Sequence, residues 1–260
     1  MKFSVPCLDC HNANIDNQPY SHDLTNERIY EFTCENGHKQ IIILNCLQYE
    51  LLFDMGLLAL NDGYLREAVT NFAAAVERFH EFCINVLTIS IGNTELITPN
   101  KSNEWVSISS DDFSSEFLKA WKSISKQSER QYGAFIMLYL VHFKRNPTLI
   151  HNDYVSFRND IVHKGTFPKL SEVLEYGKEV FNYIKEKLLE LRESVPESIT
   201  YICSKDYNNL MDGPTDKYNG KTIVGLSGAT TFQSDDMLDS ISDLEFESSL
   251  ELRKEFRVFK

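Results

Sequence analysis

The sequence lacks any long run of apolar residues, and its N-terminus carries no apolar segment. The longest apolar runs fall far short of the roughly 20 residues that a membrane-spanning helix needs. The opening residues, MKFSVPCLDCHN, do not contain the apolar stretch of a secretory signal. We therefore expect a cytoplasmic protein with no membrane partner. In that reducing compartment, its six cysteines are not expected to form disulfides.

Basic residues are also scarce. The 26 Lys and Arg residues face 38 Asp and Glu residues, which gives a formal net charge of −12. A protein that coats nucleic acid through a broad basic surface needs the opposite balance, so the sequence disfavours that class. A small local site for one RNA is still compatible with this charge. Much of the acidity lies near the C-terminus, where residues 233–251 contain seven acids and no Lys or Arg.

The remaining composition is ordinary for a globular protein, with 42% apolar and 25% charged residues. The length of 260 residues suffices for one medium-sized domain with appendages, and no internal repeat is present. Changes in pattern divide the chain into three parts. Residues 1–43 form a small Cys/His-containing module, residues 44–192 a helical domain, and residues 193–260 an irregular acidic extension.

The N-terminal module contains two short segments rich in β-branched residues, Ile29–Thr33 and 40–43. Such segments predict two strands of a β-hairpin. The Asn36-Gly37 pair between them suits the positive φ of a tight turn. Cys34 and His38, which belong to the Cys/His pattern described next, lie in the same turn.

This pattern comprises Cys7-x2-Cys10 and Cys34-x3-His38. Three thiolates and an imidazole can complete a tetrahedral shell, so we expect a zinc-ribbon-like module with a structural Zn²⁺. Four protein ligands leave no open position for catalysis. Two metal-bound alternatives remain, since His11 competes with His38 as fourth ligand and the string from Cys7 to His11 also matches a covalent haem motif. The third alternative is that no metal binds.

Residues 44–192 show helical periodicity. Apolar side chains recur at steps of three and four along one segment, at Leu65, Val69, Phe72, Val76, Phe79, Cys83 and Val86. Similar patterns predict helices at 45–60, 132–144 and 171–192. A further helix is expected to begin at Asn152 or Asp153 and to end at Gly165. The periodicity is lost after residue 192, although residues 222–226 suit a short strand.

The segment FRNDIVHKG, residues 157–165, resembles the signature of HEPN domains, which are all-helical ribonucleases of toxin, phage-defence and RNA-processing systems. The resemblance covers about residues 45–191. It implies a mainly α fold with an HEPN-like helical bundle, and metal-independent endoribonuclease activity at a site shared by two chains of a homodimer. Arg158 then binds the phosphate, Asn159 positions its neighbours, and His163 acts as acid or base. The implied partner is RNA such as tRNA, in a toxin or anti-phage setting.

The same residues suit RNA cleavage on chemical grounds. Histidine titrates near neutral pH and can take a proton from a 2′-hydroxyl or give one to a leaving oxygen. Arginine offers planar, bidentate donors to phosphate oxygens. On a helix, Asn159 and His163 share a face, so Asn159 is expected to orient His163. Arg158 lies roughly 140° around the helix from His163.

Simpler structural roles are open for each residue of the motif. Arg158 can form an ion pair with Asp160 or Glu172, and His163 can cap the carbonyls at the helix end. Glu77, on the long preceding helix, either faces the site or is a solvated charge. The three remaining histidines of this domain are expected to be ordinary surface or core residues: His80, His142 and His151.

Two other functions compete with catalysis. The chain can be a non-catalytic HEPN-like binding or assembly module, with its acidic C-terminal extension as the interface for a protein partner. It can also be a zinc-dependent regulator that binds nucleic acid, although the shortage of basic residues disfavours this alternative.

Overall fold

We describe the fold from a computed structural model, over residues 2–16, 18–92, 111–211, 218–226, 230–234 and 241–255. The strands are β1 (Lys2–Val5), β2 (Tyr20–Asp23), β3 (Ile29–Thr33), β4 (Lys39–Leu44) and β5 (Thr222–Leu226). The helices are α1 (Leu8–Asn12), α2 (Gln48–Asn61), α3 (Leu65–Gly92), α4 (Asp111–Ile124), α5 (Ser128–Phe143), α6 (Asn152–Lys164), α7 (Leu170–Ser194), α8 (Pro196–Met211) and α9 (Phe246–Glu255). Helices therefore dominate the described residues, as the sequence predicts.

The N-terminal module contains two small sheets. β1 and β2 pair antiparallel, while β3, β4 and β5 form a three-stranded sheet in that order. The predicted hairpin is confirmed: β3 and β4 are antiparallel, and Gly37 in their turn has a φ of 83°. The predicted strand at 222–226 is confirmed too. It lies parallel to β4, with Ile41 opposite Ile223, so the C-terminal part of the chain completes the N-terminal sheet.

The main hydrophobic core lies where α2 and α7 pack against α3. Its central side chain is Phe72 of α3, which is fully buried. Gly56 of α2 and Gly177 of α7 both face this ring, and a Cβ atom at either glycine would overlap it. The absence of a side chain at these two positions lets both helices approach α3 closely. α5 closes another side of the core with Phe135 and Tyr139, both buried.

The prediction of an irregular extension after residue 192 is wrong for two segments, which form α8 and α9. Phe232 and Phe246 of this extension are buried and contact Phe181 of α7, with ring centroids 5.3 and 6.0 Å apart. α8 packs against α3 and α9 packs against α2, and contacts between such distant parts of the chain leave little local signal in the sequence. Across the described ranges, no helix is both long and apolar enough to cross a membrane.

Candidate functional site

The motif segment forms the last turns of α6, as predicted. The residue that caps the start of the helix is His151, and not Asn152 or Asp153 as expected: the His151 imidazole accepts a hydrogen bond from the Asp153 N–H. It ends at Gly165, whose φ of 74° is the left-handed conformation that favours glycine. This stop fixes the position of His163, two residues before the helix end.

Arg158 is held by polar neighbours on two other helices. Its Nη1 donates to Asn159 Oδ1 at 2.8 Å, and its Nη2 lies 3.4 Å from Glu77 Oε1 on α3. It also interacts with the hydroxyl of Tyr176 on α7. Burial raises the pKa of that phenol, while the charge of Arg158 opposes the rise. The guanidinium therefore has a defined direction although its side chain is 27% exposed.

These contacts decide between the sequence-based alternatives for Arg158. Its ion-pair partner is Glu77, so the expected pairs with Asp160 and Glu172 are not formed. Asp160 instead lies 2.6 Å from the ammonium group of Lys164, and Glu172 accepts the backbone N–H of Lys169. Glu77 accordingly faces the site and is not a solvated charge.

His163 differs from Arg158 in having no fixed partner. Its side chain is exposed, and it makes no hydrogen bond or ion pair with the residues that the structure describes. Asn159 was expected to orient His163, and the contact that the structure gives its side-chain oxygen is instead a hydrogen bond accepted from Arg158. The alternative in which His163 caps carbonyls at the helix end is not seen either. Its imidazole is therefore available to a ligand.

A cavity of about 650 Å³ brings the motif together with residues from α3, α5 and α7. This volume lies within the range of small-molecule binding sites. Arg158, Asn159, His163 and Lys164 line it from α6, and Glu77 lines it from α3. The sequence-predicted residues thus share one concave surface.

Four residues of the same cavity were not predicted, namely His80, Tyr132, Tyr176 and Tyr183. His80 was expected to be an ordinary histidine. Its imidazole is buried, and Nε2 lies 2.8 Å from the Tyr183 hydroxyl oxygen. Burial lowers the pKa of His80 to about 3, so the ring is uncharged at neutral pH. Helical spacing offered a signal, because Glu77 and His80 are three residues apart and Tyr176 and Tyr183 are seven apart.

A second site lies in the N-terminal module, where the predicted Cys/His residues converge. The Nδ1 atom of His38 is 3.7 Å from the sulfur of Cys7, 3.3 Å from that of Cys10 and 3.4 Å from that of Cys34. All four potential ligand atoms lie within 4.8 Å of one another. The three cysteines are buried, and the group is consistent with a structural metal site. His11 is exposed and lies outside it, so His38 is the fourth member.

Local structure explains this convergence. Cys7 and Cys10 flank the start of α1, while Cys34 and His38 flank the turn between β3 and β4. Against the effect of burial, backbone N–H groups of His38 and Asn36 lower the pKa of the Cys34 thiol to about 7. A thiol that ionises readily is suited to metal binding.

The extension supports the first pair of cysteines from outside. The Asp9 carboxylate, between Cys7 and Cys10, accepts a hydrogen bond from Gln40 Nε2 at 3.1 Å. It also accepts one from Thr222 Oγ1 on β5 at 2.9 Å. These bonds lower the pKa of Asp9, which keeps it ionised. Strand β5 therefore helps to hold in place the turn that carries Cys7 and Cys10.

Comparison with known proteins finds no matching family model, no matching curated protein and no matching solved structure. The function must therefore be inferred from the two sites themselves. One is a cavity with an arginine that is held in place and a histidine that is not. The other is a buried group of three thiols and an imidazole.

Proposed function

We propose that this protein is an HEPN-type endoribonuclease that cleaves RNA without a catalytic metal. The main support is that Arg158 and His163 line one cavity, with Arg158 directed by Glu77 and Asn159 while His163 is free of partners among the described residues. Transesterification of RNA requires a side chain that is held in place to bind the phosphate, and an acid/base group that is free to transfer protons.

In the proposed reaction, a 2′-oxygen attacks the neighbouring phosphorus and the bond from phosphorus to the 5′-oxygen breaks. The 2′-hydroxyl loses a proton and the leaving oxygen gains one, so the products are a 2′,3′-cyclic phosphate and a 5′-hydroxyl. His163 carries out one of these proton transfers. Arg158 binds the non-bridging oxygens, where negative charge must be stabilised.

We propose further that the active form is a homodimer, because among the described residues that line the cavity of one chain only one histidine, His163, is free for the two proton transfers. Exposed apolar side chains near the motif support this. Phe167 is 84% exposed and Leu170 is 53% exposed, both directly after α6, and Val155 on α6 is exposed as well. A second copy that covers these side chains would bring two Arg158–His163 sets to one cleft. The proposed setting is a toxin or anti-phage enzyme that cleaves cellular RNA such as tRNA.

The test is cleavage of total RNA and purified tRNA in the presence of EDTA, with wild type, His163→Ala and His11→Ala. We expect wild type to cut, leaving 2′,3′-cyclic phosphate ends. His163→Ala should be slower by about 100-fold or more, the usual contribution of an acid/base group. His11→Ala is the matched control because this exposed histidine lies outside the cavity. No cleavage by wild type, or equal cleavage by all three, would contradict the proposal.

We propose Zn²⁺ as the metal of the Cys7, Cys10, Cys34 and His38 group, with a structural role. Three thiolates and one imidazole are a preferred ligand set for zinc. The purified protein should contain about one zinc per chain by elemental mass spectrometry. His38→Ala should lower that content, whereas His11→Ala should not. A zinc content that depends on His11 and is independent of His38 would contradict the assignment.

A further inference from the structure

The cavity beside the motif has more room, and more aromatic surface, than a phosphate needs. Its volume of about 650 Å³ can hold a whole nucleotide, and its lining includes residues of four helices. A phosphate-binding site needs donors and positive charge, whereas this cavity also contains the carboxylates of Glu77 and Glu129. The lining is therefore poorly suited to an inorganic anion alone.

Contacts divide the lining into two groups. The first is polar, and Arg158 is at its centre with Glu77, Asn159 and Tyr176 around it. The second is aromatic, and His80 is at its centre. The His80 ring lies 5.4 Å from that of Tyr132 and 5.8 Å from that of Tyr183, measured between centroids.

The aromatic group is firmly held on one side and open on the other. The His80 ring stacks on buried Phe135, with centroids 4.8 Å apart and planes at 20°. Tyr183 is 5% exposed and hydrogen-bonded to His80, so it is fixed as well. Tyr132 is 38% exposed, so part of its ring is accessible. The accessible ring of Tyr132, beside the rigid and uncharged imidazole of His80, is a surface on which a planar ligand can stack.

We infer that this aromatic group binds the base of one unpaired ribonucleotide, whose phosphate is the one bound by Arg158. The inference rests on the proposed function and adds to it a base-binding site on this chain, formed by His80, Tyr132 and Tyr183. Every nucleobase has a π face that stacks on tyrosine. A base inside a duplex is already stacked and cannot enter a cavity of this size, so paired RNA is excluded.

The experiment measures binding separately from cleavage. The probe is a fluorescein-labelled hexanucleotide with 2′-deoxy sugars, which lacks the hydroxyl that the cleavage reaction needs. Its affinity is measured by anisotropy for wild type, Tyr132→Ala and Tyr64→Ala. Tyr64 is the matched control because it is 63% exposed and does not line the cavity. Circular dichroism confirms that both variants are folded.

We expect Tyr132→Ala to bind the single strand about tenfold more weakly than wild type, as loss of one stacked base implies. Tyr64→Ala should bind like wild type. The same sequence in duplex form should bind at least tenfold more weakly than the single strand. A nucleoside monophosphate should compete with the probe, whereas inorganic phosphate at the same concentration should not. If only the hexanucleotide competes, the site needs the continuous chain and not a free nucleotide.

The outcomes separate this inference from the proposed enzyme activity. Tyr132-dependent binding without cleavage of natural RNA would support the base site and reject the ribonuclease. Cleavage that proceeds with the same rate and cut sites in Tyr132→Ala would support the ribonuclease and reject the base site. The inference is also overturned if wild type does not bind the probe, or if the duplex binds as tightly as the single strand.

Discussion

At the scale of single residues, His80 shows how burial defines the chemistry of the cavity. Its pKa is about 3 because the buried imidazole is poorly solvated when charged. In the unfolded chain, a histidine has a pKa near 6.5. Below that pH the imidazole is protonated in the unfolded state but stays neutral in the folded state. The contribution of His80 to stability is thus complete above pH 6.5 and is lost as the pH falls towards 3.

This direction of the pH dependence predicts how His80→Phe behaves. The variant keeps an aromatic ring stacked on Phe135 but has no group that titrates. Between pH 6.5 and 5.0, wild type should lose about 2 kcal/mol of unfolding free energy that the variant keeps, at about 1.4 kcal/mol per pH unit. Urea unfolding at pH 7.5 and pH 5.0 measures the difference. His163→Gln replaces an exposed histidine that makes no hydrogen bond or ion pair with the described residues, and it should show the pH dependence of wild type. Identical pH dependence of wild type and His80→Phe would show that His80 is not buried in its neutral form.

The residues of the cavity differ in how far the sequence could predict them. Arg158 and His163 could be predicted because their spacing within one helix is a local property. The partners of Arg158 lie on two other helices, so the sequence offered Glu77 only as one of two alternatives and did not indicate Tyr176. Tyr132 belongs to no sequence motif, and it lies next to His80 only because α5 packs against α3.

At the scale of elements, α2 and α7 begin in the same way but differ in burial. In each helix, the third residue is a glutamate that accepts the backbone N–H of the residue before the helix: Glu50 from Leu47 and Glu172 from Lys169. Glu50 is also buried, and it accepts hydrogen bonds from Thr230 Oγ1 at 3.2 Å and from the Ser234 N–H at 2.8 Å. The extension is thereby fastened to the start of α2.

This difference predicts unequal effects of the same substitution. Glu50→Ala should lower the unfolding free energy by about 3 kcal/mol, because it leaves several buried donors without an acceptor. Glu172→Ala removes one exposed cap and should cost no more than about 1 kcal/mol. Chemical denaturation gives both values, and limited proteolysis should cut the extension faster in Glu50→Ala alone. Equal losses in the two variants would mean that Glu50 does no more than cap its helix.

Local sequence patterns predicted most elements of the fold, but they did not predict the helices α8 and α9 of the extension. The helices from α2 to α7 bury one face each, so their apolar residues recur with the helical period. The strands β3 and β4 could be predicted from their composition and turn. α9 contains few apolar residues, and one of its anchors is Arg253, whose Nε lies 2.8 Å from buried Asp54 of α2. A polar contact between residues so far apart in sequence leaves no periodic signal.

At the scale of the whole molecule, the N-terminal module and the C-terminal extension are joined around the turn that carries Cys7 and Cys10. β5 pairs with β4, and Thr222 contacts Asp9 between two of the cysteines. Arg28 adds a bidentate ion pair to Asp206 of α8, at 3.0 and 2.9 Å. The N-terminal module is therefore attached to the helices by the extension as well as by the direct connection from β4 to α2. This arrangement could not be predicted from sequence, since every one of these contacts is long-range.

The proposed homodimer makes a prediction at the same scale. Each chain carries a net charge of −12, so two chains repel each other and an apolar interface must overcome that repulsion. Added salt shortens the range of the repulsion, and the wild-type dimer should become tighter between 0.05 and 0.3 M salt, roughly where the screening length falls below 10 Å. Binding of the labelled hexanucleotide should weaken over the same range, because phosphate contacts are lost as salt rises. Opposite salt responses are therefore expected for the two kinds of binding.

Phe167→Glu provides the matching variant, because it replaces the most exposed apolar side chain near the motif by a charge. In light scattering, it should be a monomer at concentrations where wild type and Tyr64→Glu are dimers. It should lose cleavage, since the cleft requires two Arg158–His163 sets, yet still bind the hexanucleotide, since the aromatic group lies within one chain. Wild type that stays monomeric at every salt concentration, or Phe167→Glu that still forms dimers, would reject this interface. Retained cleavage by a monomeric Phe167→Glu would show instead that one set of residues is a complete site.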